Sequence, residues 1–216
     1  MSVEGIPGPI RRSMQILATH RALFGSRGKT WFAMGAVEIT RVVDVFKSNR
    51  TKWALVGAHA VGLLTEPRAT ADFDFIVEST KLKAILRDLT GAFGELDAKD
   101  IGAAVQLTAI DVDLIRSASH PLFREALRQI RVVGEWKVPR TEVLIALKFL
   151  AAISPWRTPA KKTRDVSDIA ALYLEAEPDQ LDRKEIIRLG DLAYPGAKRE
   201  LRALLDKIDR GKPLAI

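Results

Sequence analysis

The chain has 216 residues, 47% hydrophobic and 28% charged, which is ordinary globular composition for one large domain or two small ones. It contains no cysteine, which excludes a disulfide framework and a thiolate zinc site, and its formal net charge is +7. Residues 1–115 carry 14 basic and 13 acidic groups and residues 116–216 carry 20 and 14, so the excess is C-terminal. A basic half suits phosphates or a polyanion, although a Lys/Arg-decorated helical surface gives the same excess.

The start, MSVEGIPGPIRRS, lacks the apolar core of a signal peptide, and no apolar run is long enough to span a bilayer. The expectation is a cytoplasmic protein with no membrane partner. Amphipathic spacing predicts helices over 9–24 and 35–48, joined by the GSRGK loop at 25–29. Val37, Val42, Val45 and Phe46 form the apolar stripe of the second. Residues 53–56 (WALV) read as a short buried strand, Ala58 to Leu64 as a helix, and 72–77 as a strand that carries Asp72 and Asp74. Ser79 is placed to N-cap a helix running to about Leu89.

Ala103–Thr108 and Ile110–Ile115 read as two further strands, and Ile130–Gly134 as another with Glu135–Pro139 pairing nearby. From Arg140 the pattern is helical. Thr141 is placed to cap EVLIALKFLAAI, which ends before Pro155, and helices follow over 160–175, 182–193 and 197–210. The expected organisation is an α/β part over 1–139 that includes the N-terminal helices, then a helical region over 140–216 that completes the site. The fold class is α+β, a mixed sheet flanked by helices with a helical C-terminal region.

Residues two apart on a strand project together. Asp72 and Asp74 therefore share one face, and Phe73 and Phe75 the other. Like charges side by side repel, and folding alone gives no reason to put them there. Mg²⁺ removes the objection, because it takes carboxylate oxygens together with substrate phosphates. The upstream Gly57 lets backbone come close to phosphate. In IDVDLI, Asp111 and Asp113 again share a face. Lys148 sits among Leu144, Ile145, Leu147, Phe149 and Leu150, and a lysine in such company needs a partner.

These residues resemble the nucleotidyltransferase superfamily with the polymerase-beta-like fold, and within it the AbiEii/MenT-like toxin branch. The superfamily pattern is a Gly turn after a strand, Asp-x-Asp on the next strand and a third acid on a later one. Here these are Gly57-Ala58, Asp72-Phe73-Asp74 and Asp113. The branch adds Arg-x-Thr/Ser-x-Asp, matched by Arg68-Ala69-Thr70-Ala71-Asp72. It also adds a helix with a lysine and a basic-Asp-x-x-Asp segment, matched by Lys148 and by Arg164-Asp165-Val166-Ser167-Asp168. The resemblance spans about residues 53–172.

It implies that Asp72, Asp74 and Asp113 hold two Mg²⁺ ions, with Asp113 also the base and Asp111 a rival third ligand. It implies that Gly57 and Ala58 present amides to the phosphates and that Arg68 and Thr70 belong to the NTP-binding segment. Lys148 then reaches the triphosphate, with Asp165 orienting Lys148 or Arg164. Ala58 stands where the superfamily usually has Ser or Gly. A lost hydroxyl bond to a charged group costs roughly 1.5–3 kcal/mol.

The implied activity is transfer of a nucleoside monophosphate from an NTP to an acceptor hydroxyl, on RNA such as a tRNA 3′ end or on a protein. The implied setting is a toxin with a separate antitoxin protein. A nucleotide- or partner-binding scaffold with weak or no turnover is the second reading. An interaction protein with merely solvated acids is the third.

Overall fold

The computed structural model describes residues 35–177 and 180–214. The helix expected over 9–24 and the loop at 25–29 lie outside the described residues. Five strands make one sheet in the order β1-β2-β5-β4-β3. They are β1 (Trp53–Val56), β2 (Phe73–Val77), β3 (Ala98–Asp100), β4 (Ala104–Leu107) and β5 (Val112–Arg116). β2 and β5 are parallel and the other neighbours are antiparallel. Around the sheet lie α1 (Gly35–Ser48), α2 (Gly57–Gly62), α3 (Leu82–Phe93) and α4 (Pro121–Arg128). A hairpin of β6 (Ile130–Val133) and β7 (Trp136–Pro139) leads into α5 (Thr141–Ile153), α6 (Pro159–Leu174), α7 (Arg183–Gly190) and α8 (Lys198–Asp209). The mixed sheet, its flanking helices and the helical C-terminal part are the expected class.

Alternation along β2 explains how the sheet has an apolar and an acidic face. Phe73, Phe75 and Val77 are buried on one side with Trp53 and Leu55 of β1 and Val112 and Leu114 of β5. Phe75 has no exposure and meets Phe46 of α1 edge-on, ring centroids 5.1 Å apart. Trp136 of the hairpin stacks over Phe75 at 6.4 Å. Among the described side chains the stripe of α1 is Ile39, Val42, Val43 and Phe46, with Val45 half-buried, and the side chain of Val37 lies outside them.

α5 lies against α4, α6 and α7 and is buried nearly all round. Its half-buried positions Leu147, Leu150, Ala151 and Ile153 fall mostly at helical spacing on one side, and that side is the one left open.

Several boundaries differ from expectation for local reasons. The acidic strand begins at Phe73, so Asp72 sits just before it. β5 begins at Val112, which leaves Asp111 in the preceding turn at φ 51°. Ser79 starts a short 3-10 turn rather than capping α3, because its hydroxyl accepts a bond from the Ala118 amide at 2.9 Å. Arg140, not Thr141, is the N-cap of α5. The exposed β3 carries little hydrophobic signal in sequence, and α4, though amphipathic, is only eight residues long. α4 starts on Pro121, with the His120 ring accepting from the Leu122 amide at 3.1 Å.

Phe75→Ala is expected to destabilise the fold by about 3–5 kcal/mol, read as a shift in the urea midpoint with little change in slope.

Candidate active site

The acidic face of the sheet carries the site. In the parallel register Asp74 of β2 stands beside Asp113 of β5. Both are half-buried. Burial, the charge of Asp113 and, less strongly, that of Asp72 push the Asp74 carboxyl up to about 6, against the pull of Lys148 and Arg157. Asp113 is also raised, by burial first and by Asp72, with a bond from Gln106 opposing. Gln106 faces Asp113 across β4 and β5 and donates its Nε2–H to Oδ2 at 3.2 Å.

Gly57 follows β1 at φ 67°, where a side chain is strained, and a Cβ there would fall on Asp74 Oδ2. The position needs glycine for both reasons.

A second group of charges closes over this one from the helical part. Lys148 is 6% exposed, and its Nζ lies 3.2 Å from Asp165 Oδ1 and 2.7 Å from Asp168 Oδ2. Arg157 holds Asp165 at 3.0 Å. Arg68, on the lead-in to β2, grips Asp168 with two bonds of 3.0 Å. These bonds raise the Arg68 pKa, the bond with Asp168 foremost. Burial pushes Asp168 upward, but the bonds from Arg68 and Lys148 leave it below the usual carboxylate range. Three cations around two buried carboxylates leave one positive charge next to the acid pair.

Asp165 therefore partners Lys148 and Arg157, while Arg164 is exposed. The Asp111 carbonyl accepts from the Phe73 amide at 2.9 Å, and Asp113 is the acid paired with Asp74. Asp72 is exposed on the lead-in, and Thr70 is half-buried on the same segment. Ala58 is buried in α2. His59 is 2% exposed and stacked on Phe73 at 3.9 Å. Neither ring nitrogen has a hydrogen-bond partner among the described residues. Burial, then Arg68, lowers its pKa to about 3, so it packs as a neutral ring.

Sequence reading places Arg157 only in a basic cluster near the site, with Lys161, Lys162 and Arg164, and it passes over Gln106, which depends on a β4–β5 register that no motif encodes.

Gly57, Asp74 and Lys148 open into one cleft of about 900 Å³. Its apolar wall includes Ile76 and Ile115 of the sheet and Leu147 and Leu150 of α5, with Trp156, Arg157 and Lys162 also lining it.

Carboxylate oxygens are the hard donors that Mg²⁺ takes. Asp74, raised by burial and by the neighbouring Asp113, is relieved by a cation, so Asp74 and Asp113 fit an ion. Among the described residues no group of three or more His, Asp or Glu side chains is gathered into a ready-made metal site. No helix among them is long and apolar enough to cross a membrane.

No protein-family model matches the chain and no curated protein matches it. Among solved structures it is similar to the antibiotic-resistance factor ANT(2'')-Ia in solution, with 14% identity, TM-score 0.48, and 81% of this chain and 96% of that one covered. It is similar to ANT(2'')-Ia in complex with adenylyl-2''-tobramycin at 14% identity, TM-score 0.49, with 77% and 96% covered. It is similar to an antigenic nucleotidyltransferase-like protein from Paracoccidioides brasiliensis at 16% identity, TM-score 0.49, with 83% and 94% covered. Likeness at this level assigns no chemistry, which rests on the side chains.

Two outcomes are expected. Gly57→Ala should lose more than about 1–2 kcal/mol, the strain of a left-handed alanine alone, in chemical denaturation. Asp74→Asn should raise stability at pH 7.5 in EDTA by up to roughly 3 kcal/mol. A carboxyl with a raised folded-state pKa is destabilising above about 6, where it is ionised in the fold. The gain should therefore fade as the pH is lowered towards 4, as thermal melts across pH would show.

Proposed function

We propose that this chain is a nucleotidyltransferase that moves a nucleoside monophosphate from an NTP to an acceptor hydroxyl and releases pyrophosphate. The observation that carries the reading is the pairing of Asp74 with Asp113 on adjacent parallel strands, with Gly57 against the Asp74 carboxylate and Lys148 on the same cleft.

Asp74 and Asp113, with Asp72 from the lead-in, are the residues that would hold Mg²⁺. Two such ions, when bound, neutralise triphosphate charge and ease ionisation of the attacking hydroxyl. The remaining steps belong to the chain. Gly57 lets the Asp74 carboxylate sit directly against the turn, where any side chain would displace it. Lys148 and Arg157, anchored by Asp165, present positive charge to the triphosphate. Asp113 accepts the proton of the acceptor hydroxyl, and the Gln106 bond fixes the orientation of its carboxylate. Asp168, through Arg68, ties the lead-in that carries Thr70 and Asp72 to α6.

The acceptor we propose is RNA, such as a tRNA 3′ end, and the setting a toxin with a separate antitoxin. The C-terminal excess of Lys and Arg supports an anionic partner, bound largely through phosphates and weakened by salt. A nucleotide-binding scaffold with weak turnover is the second reading. It is favoured by Ala58 and by the full engagement of Lys148 with two carboxylates.

A transfer assay separates the two. Protein, Mg²⁺, each labelled NTP and total RNA are incubated beside Asp74→Asn. Label on RNA with wild type and at least a 100-fold loss in the variant is expected, ~100-fold being a typical cost for a lost transition-state contact. Equal label from both proteins contradicts transfer at this site. Nucleotide binding without label favours the scaffold.

A further inference from the structure

Trp156 is 92% exposed, the most open of the large hydrophobic side chains among the described residues. It is not on a loose segment. Its turn is closed by the Arg157 amide donating to the Ser154 carbonyl at 3.2 Å and by the Trp156 amide on Ser154 Oγ at 3.4 Å. On the next residue, the Arg157 guanidinium is fixed on Asp165. The backbone that carries the indole is thus held at the cleft, next to the cations that would bind phosphate. A lone exposed ring needs no explanation. This one continues an apolar surface, the open side of α5 formed by Leu147, Leu150 and Ile153.

The cleft also has a direction. Gly57, Asp74 and Lys148 line it, while Asp113, the acid assigned to the acceptor hydroxyl, does not. It therefore extends from the triphosphate side of the site. Its size lies within the range of pockets that enclose a small organic ligand, roughly 300–1,000 Å³. A flat, uncharged ring joined to an anionic tail matches an apolar slot with cations at one end.

We propose that this cleft receives the base of the NTP and that Trp156 is its stacking platform. The inference rests on the nucleotidyltransferase reading above, and it names Trp156 as a residue that sets nucleotide affinity. Stacking is tolerant of base identity, since every base has a π-face. The edge of the base would meet Tyr194 and Glu200, which also line the cleft and are hydrogen-bonded to each other through the Tyr194 hydroxyl.

The test is calorimetric titration in Mg²⁺ with two probes, an α,β-methylene NTP analogue and inorganic triphosphate. Wild type, Trp156→Ala and Trp156→Phe are compared. The ring is exposed, so the melting temperature of both variants should match wild type. Trp156→Ala should weaken the analogue by about 10- to 100-fold and leave triphosphate unchanged, and Trp156→Phe should recover most of the loss. Equal affinity of wild type for both probes overturns the inference and leaves the phosphate site standing. An unchanged analogue affinity in Trp156→Ala also overturns it, including the case where the variant weakens only an RNA oligonucleotide. If neither probe binds wild type, the nucleotidyltransferase reading fails and this inference with it.

Discussion

Two carboxylates on neighbouring parallel strands are the constraint around which the rest of the molecule is arranged. In the β2–β5 register Asp74 and Asp113 cannot avoid each other. Burial raises both, with the charges of Asp113 and Asp72 adding to the rise of Asp74 and that of Asp72 to the rise of Asp113, and each costs the fold free energy whenever it is ionised. Neighbouring features make sense as consequences of the pair. Gly57 has no side chain because Asp74 occupies the space. Gln106 donates to Asp113 across the adjacent ladder. The aromatic packing of Phe46, Trp53, Phe75 and Trp136 lies on the opposite face of the sheet and keeps the acidic strand in place.

The helical part answers that negative charge with a buried cluster. Arg68, Asp168, Lys148, Asp165 and Arg157 form one continuous chain of ion pairs. Such clusters seldom add net stability, but removing one member strands the rest and costs about 3–5 kcal/mol. Their value here is positional. The cluster links the lead-in to β2, the apolar helix α5 and the middle of α6, so Lys148, Arg157 and Asp74 hold fixed places about one cleft.

Much of this arrangement was legible from residue pattern. Period-two alternation in ADFDFIV and IDVDLI marked the acid strands, and the isolation of Lys148 in an apolar helix demanded the partners it has. The Asp111/Asp113 choice was not legible, because both fit the alternation. The resemblance favoured Asp113, and the structure sets Asp113 beside Asp74 on the ladder while Asp111 is left-handed inside the β4–β5 turn. Asp72 was read on the strand, yet ladder pairing starts one residue later. β3 was missed since it is exposed and only three residues long, and α4 because its apolar stripe, Leu122, Phe123, Ala126 and Leu127, sits in a helix of only eight residues. Gln106 was invisible because its role comes from register between strands, and the depth of the cleft because it depends on which side of α5 stays uncovered.

The most direct measurement is the free-ion EPR signal of Mn²⁺, a stand-in for Mg²⁺, during titration with protein and a nonhydrolysable NTP analogue. A site built on the carboxylate pair predicts that wild type removes the signal, and that Asp74→Asn and Asp113→Asn each remove it only at far higher protein concentration. Retention of Mn²⁺ by both variants as tightly as by wild type would contradict the assignment of the pair as the centre of the site.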